Sequence, residues 1–230
     1  MSEVSDRQQS RTATAVEVPA PRGAVPPEPA PAPAPPPSEP PPGDPLVIGL
    51  PAFIAGSVAL GLVDINFAPV AAAGAAIPII ATATSLGLLI ATIWAARLGQ
   101  TAVASVTGIF GGFWLSFAAV SLGLGHAWFA ILPAGVARTV EVFLITWLAV
   151  IGLLTLGTLR LPSVYTALFV LVDAALVLTL MATVQASVDL TKTAGWVVLA
   201  FAALGGYLFL SSLSGATGGK PFPLGRPIVR

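Results

Sequence analysis

Cysteine is absent from this chain of 230 residues, so no disulfide framework holds it together. Charge is nearly as scarce. Asp, Glu, Lys and Arg make up 9% of the residues, against roughly a quarter in soluble globular domains. The 10 basic and 10 acidic side chains cancel to a net charge of zero, which argues against nucleic acid as a partner, since that needs a basic face. The single histidine, His126, falls in a loop and is expected to be solvated. There is no cluster at metal-ligand spacing, no glycine-rich phosphate loop and no nucleophile beside a base. An enzyme, a bound metal and a cofactor are therefore not expected.

What is present is apolar. Hydrophobic residues make up 56% of the chain and the mean hydropathy is +0.91. Six runs, about 46–63, 74–96, 103–124, 140–159, 164–184 and 195–214, contain Glu141 and Asp173 but no other Asp, Glu, Lys or Arg. At ~1.5 Å per residue each run can cross a hydrocarbon core of ~30 Å. In lipid the backbone must satisfy its own hydrogen bonds, so the runs are expected to be helices. The fold class expected is an all-α membrane protein, with a six-helix transmembrane domain over 44–230 that ends in a short cytoplasmic tail.

Residues 1–43 are expected to be a separate object. Most of the 22 prolines lie between Pro19 and Pro45, many alternating with alanine. Proline continues neither a helix nor a sheet ladder, so a disordered, polyproline-like cytoplasmic tail is expected, with adaptor docking as a secondary use. With the N-terminus inside, Arg97, Arg160, Lys220, Arg226, Arg230 and the tail residues Arg7, Arg11 and Arg22 fall in the cytoplasm. Arg138 and Lys192 fall outside. That bias places both ends in the cytoplasm of a cell-membrane protein. With no apolar leader at the start, the first run is expected to direct insertion.

Small residues recur four apart. The second run carries Ala83, Gly87 and Ala91, and the third carries Gly108, Gly112 and Ser116. In lipid such ridges let helices pack closely. On the third helix, Phe110, Phe113, Trp114 and Phe117 cluster away from the ridge. Asp173 stands alone in the fifth run. An ionisable group at that depth is costly and is a candidate for proton coupling or pH sensing. The other reading is a neutral acid hydrogen-bonded to a Ser or Thr of another helix.

Several strings, in register from about 44 to 226, resemble the acetate uptake transporter family, the succinate–acetate permeases. The entry motif Asn-Pro-x-x-x-Gly-Leu and a following aromatic appear as Asp44-Pro45-Leu46-Val47-Ile48-Gly49-Leu50 and Phe53. The family's "WE…GNT" appears as Trp94-Ala95 and Gly99-Gln100-Thr101, and its "SYGSFWL" as Ile109 to Leu115. Gly157-Thr158-Leu159, Ala194-Gly195-Trp196, Tyr207 and Pro223-Leu224-Gly225 complete the match. Asp44, Ala95 and Phe110 depart from the family's Asn, Glu and Tyr.

The resemblance implies a homohexamer of six-helix protomers in membrane lipid, each with its own path for small carboxylates. Acetate is the substrate implied, with propionate, lactate or succinate as relatives. Asp44, Pro45, Gly49 and Leu50 would form the path entrance, and Phe53, Phe110 and Val172 its constriction. Desolvating an anion at phenyl rings is costly, so proton linkage or passage of the neutral acid is expected. A channel for small neutral solutes such as urea or short amides is the alternative, and a non-transporting scaffold a third.

Overall fold

The computed structural model describes residues 43–229. Apart from Gly43, the expected disordered tail lies outside the described residues. Among those described, six helices are long and apolar enough to cross a membrane: α1 (Leu46–Asp64), α2 (Ala71–Arg97), α3 (Thr101–Gly125), α4 (Pro133–Thr158), α5 (Ser163–Gln185) and α6 (Val188–Ala216). Six crossings bring Gly43 and the C-terminal segment to one face, called here the terminal face. The opposite face carries the ends of α1, α3 and α5.

Local chemistry sets the helix ends. The Asp44 carboxylate accepts from the Leu46 N–H at 2.9 Å, satisfying one of the donors that the start of α1 leaves free. Asn66, with φ 62, ends that helix in a left-handed turn closed by the Phe67 N–H donating to the Leu62 carbonyl at 2.9 Å. Ala186 does the same for α5 with φ 48. Ser187 then opens α6, its hydroxyl accepting from the Leu190 N–H at 3.3 Å. Helices α4 and α6 begin about two turns before their apolar runs, because a helix extends past the lipid wherever its caps allow.

Small residues bring α1 against α2. A Cβ on Gly87 would lie 2.6 Å from the Ala52 Cβ, and one on Gly49 3.2 Å from the Ala91 Cβ. Ala83, expected on the same ridge, is exposed. Residues Ile80–Thr84 form a π turn, with the Ser85 hydroxyl donating to the Ile80 carbonyl at 2.7 Å. The wider turn rotates the helix face by one residue, so Thr84 meets Gly56 instead.

On α3 the ridge serves two neighbours. Gly108 faces Thr92 of α2, whereas Gly112 faces Trp147 of α4. The Trp147 indole N–H donates to the Ser116 hydroxyl at 3.1 Å. Thr92 and Thr107 hydrogen-bond across α2 and α3 at 2.9 Å.

The C-terminal segment straps the terminal face. The Tyr207 hydroxyl donates to the Pro223 carbonyl at 2.8 Å, and the Val164 N–H to the Leu224 carbonyl at 3.2 Å. The Ile228 and Val229 N–H groups both point to the Leu159 carbonyl at 3.0 Å.

The close α1–α2 approach gives a stability test. Gly87→Leu forces the two backbones apart and should destabilise the detergent-solubilised protein by about 1–3 kcal/mol, the usual cost of overpacking. Gly152→Ala, where a Cβ meets nothing within 4 Å, should leave the melting temperature unchanged. Equal melting temperatures for both variants would contradict this packing.

Candidate functional site

Four cavities follow one another along α1. At the terminal face an open vestibule of about 500 Å³ touches Gly43, Asp44, Ser211 and Leu224. Next, a small cavity of about 50 Å³ is lined by Leu46, Gly49, Leu50, Phe53, Thr107, Phe110 and Phe169, among others. A central cavity of about 120 Å³ follows, between Phe53, Phe110, Val172, Phe201 and Asp64. The last, about 580 Å³, opens at the far face beside Asp64, Ser121 and His126. One water needs roughly 10–15 Å³ of such space, so the central cavity accommodates several water-sized bodies. From Asp44 to Asp64 the helical rise is about 30 Å, the thickness of a hydrocarbon core.

Helical periodicity accounts for the lining. On α3, Thr107 and Phe110 face the small cavity, Phe110, Phe113, Trp114 and Phe117 the central one, and Phe117, Ser121 and Leu122 the far one. On α5, Tyr165, Leu168 and Phe169 are followed by Val172, Ala175, Leu176 and Thr179. These spacings of three and four residues keep one stripe of each helix turned inward.

Phe53 and Phe110 stand between the small and central cavities, lining both. Their rings meet edge to face with centroids 5.1 Å apart, a favoured aromatic geometry. Phe169 reaches Phe110 at 5.6 Å and Phe201 reaches Phe53 at 5.6 Å. Val172 is buried with them and lines the central cavity only.

The three positions expected at the constriction thus lie together, with the rings of Phe169 and Phe201 packed beside them. A resemblance confined to short strings gave no reason to single out either. Gly49 and Leu50 line the small cavity and Asp44 the vestibule, while Pro45 is fully buried beneath them.

Asp173 points elsewhere. It lines none of these cavities. Its Oδ2 lies 2.7 Å from the Thr155 hydroxyl of α4, and that hydroxyl lies 2.9 Å from the Ile151 carbonyl. A hydroxyl has one proton to give. A protonated Asp173 would complete the chain, donating to Thr155, which donates to Ile151. Besides Asp44 at the vestibule, the acid that faces the cavities is Asp64, one residue beyond the end of the first apolar run.

A model of the GPR1/FUN34/yaaH family matches residues 27–218, most of the chain. The chain belongs to this family. It is the acetate uptake transporter family that the motifs resemble. The fold agrees with a solved one: the structure of the bacterial acetate channel SatP superposes with a TM-score of 0.70 at 21% sequence identity, covering 80% of this chain and 99% of that one. No curated protein sequence matches the chain. As a family member with six apolar crossings, it is a multi-pass membrane protein.

The contact between Asp173 and Thr155 gives a stability test. Thr155→Val removes the only hydrogen bond made to that carboxyl among the described residues and should cost about 1–3 kcal/mol. Asp173→Asn keeps a donor for the Thr155 hydroxyl and should cost less. Melting curves in detergent check this, and equal stability of Thr155→Val and the wild type would refute it.

Proposed function

We propose that the line of cavities conducts acetate and related small carboxylic acids across the membrane, as the neutral acid or together with a proton. The observation that carries this reading is the composition of the lining. The four cavities are bordered by Asp44, Asp64 and His126, but by no Lys or Arg among the described residues. A carboxylate anion meeting Phe53, Phe110, Phe169 and Phe201 would lose its water and gain no cation. An acid of pKa near that of glutamic acid, ~4.3, is neutral in about one molecule in several hundred at neutral pH, and that form avoids the desolvation cost. Membership of the acetate uptake transporter family and the fold shared with an acetate channel support acetate as the substrate.

Within that class, Val172 stands where the resemblance leads one to expect leucine. The smaller side chain enlarges the central cavity, which favours propionate or lactate beside acetate. Succinate, with two carboxyl groups, requires two protons for the same passage. Both chain ends face the cytoplasm in this proposal, supported by the Lys and Arg bias. The hexamer rests on the family resemblance, and the exposed Val142, Ile145, Leu153 and Leu156 of α4 suit contact with lipid or a neighbouring protomer.

The same cation-free lining favours a second reading, a channel for urea or short amides. Uptake of labelled acetate and labelled urea into liposomes decides between them. Acetate entry should exceed that of protein-free liposomes, rise with the undissociated acid as pH falls, and outpace urea entry. Urea entry as fast as acetate entry would establish the neutral-solute channel, and background rates for both would end the transport proposal.

Phe110→Ala should admit larger acids and raise their flux. Val172→Leu should slow propionate more than acetate, since one methylene is worth about 1–3 kcal/mol of discrimination. An unchanged substrate range in both variants would remove these side chains from the path.

A further inference from the structure

The constriction is apolar, yet the path also contains a carboxyl group without a partner among the described residues. Leu60, Asp64 and Phe117 line both the central and the far cavity, so Asp64 sits at the neck between them. Its place is set by α6. A Cβ on Gly195 would lie 2.8 Å from the Asp64 Cβ and 3.0 Å from the Ile65 amide nitrogen, so the absence of a side chain at Gly195 lets the end of α1 rest there. Asp64 is half-buried and has no side-chain hydrogen bond or ion pair among the described residues.

The groups around this neck leave its charge uncompensated. From α2, Ala73, Gly74 and Ala76 face the far cavity, and none of them ionises. From the end of α3 comes His126, on the wall of the wide vestibule. The first turns of α6 hold the exposed Asp189 and the half-buried Lys192, one turn before Gly195, and Lys192 makes no ion pair with Asp64. At the start of α4, Arg138 is paired with Glu141. From α5, Thr179 is the polar residue on the central cavity, its hydroxyl donating to the Ala175 carbonyl at 2.8 Å.

We propose that Asp64 is the charge filter of the path: when ionised, it turns back small anions at the neck and leaves uncharged molecules of the same size free to pass. This rests on the proposed transport function and adds the residue that sets the charge of the species admitted. In a narrow passage with poorly hydrated walls, like charges a few ångströms apart repel far more strongly than in water. Charged side chains at such positions set selectivity in channels generally. The phenyl rings of the constriction do not distinguish signs of charge. Asp64 does.

The test uses the full chain in liposomes and two probes of nearly equal size, acetate and acetamide, at ~pH 8, where acetate itself is almost wholly ionised. Acetamide entry is measured directly and acetate anion entry as a potential-driven current. In the wild type, acetamide should enter while the acetate current stays near that of protein-free liposomes. Asp64→Asn should raise the acetate current by about tenfold or more, the scale of a like-charge contact at an intermediate dielectric, and leave acetamide entry within about twofold. Asp64→Glu should behave as the wild type, and Asp64→Ser can replace Asp64→Asn if that variant does not fold.

An acetate current unchanged in Asp64→Asn, with acetamide or acetic acid still entering, would overturn the filter alone. So would a wild-type acetate current already matching acetamide entry, whichever variants fold. Background rates for acetamide, acetate and acetic acid would overturn the transport proposal and the filter with it.

Discussion

Close approach of helix backbones to α1 is the constraint on which the rest of the structure depends. In hydrocarbon, apolar side chains gain little by leaving lipid for a neighbouring helix, so packing relies on van der Waals contact between smooth surfaces. Gly49 meets Ala91 and Thr107, Gly56 meets Thr84, and Ala52 meets Gly87. On the other flank, Gly61 meets Leu199, Gly195 meets Asp64 and Ile65, and Gly205 meets Ile54 and Phe53. Held between α2 and α6 in this way, α1 presents Phe53 and Asp64 to the cavities at fixed depths. The aromatic face of α3 closes the same space from the opposite side.

The resulting passage orders its physical barriers along one axis. A solute crossing from the terminal face first meets the polar vestibule around Asp44. It then meets a short apolar stretch ending at the Phe53–Phe110 contact, and beyond that a central cavity that widens past Asp64. In the proposed transport the rings would select by size and by the cost of dehydration, and the carboxylate by charge. The strap from Lys220 to Val229 joins α6 to the α4–α5 turn beside the terminal vestibule.

Hydropathy made the six crossings legible because lipid leaves the chain no alternative to helix. It marked the lipid-facing lengths less well than the helices themselves: Asp189 and Lys192 lie in the first turns of α6, a helix that the apolar pattern begins only at Gly195. The same cut-off hid Asp64. An apolar run stops where charge starts, and here the charge sits one residue past the run, on the helix and facing the cavities. Asp173, conspicuous because it interrupts a run, turns instead toward Thr155. Ala83 was misplaced for a different reason. Four-residue spacing assumes an uninterrupted α-helix, and the π turn at Ile80–Thr84 leaves no mark that periodicity can register. Phe53, Phe110 and Val172 were located through family-like strings, whereas Phe169 and Phe201 became visible only once the helices were assembled.

The central claim is that the carboxylic acid crosses with its proton. The most direct measurement is the pH inside proteoliposomes loaded with a pH-sensitive dye after acetate is added outside. Entry as the neutral acid, or with a proton, releases protons inside, so the lumen should acidify faster than in protein-free liposomes under the same acetate gradient. Acetate accumulation without accelerated acidification would mean that the anion itself crosses, and would contradict the account.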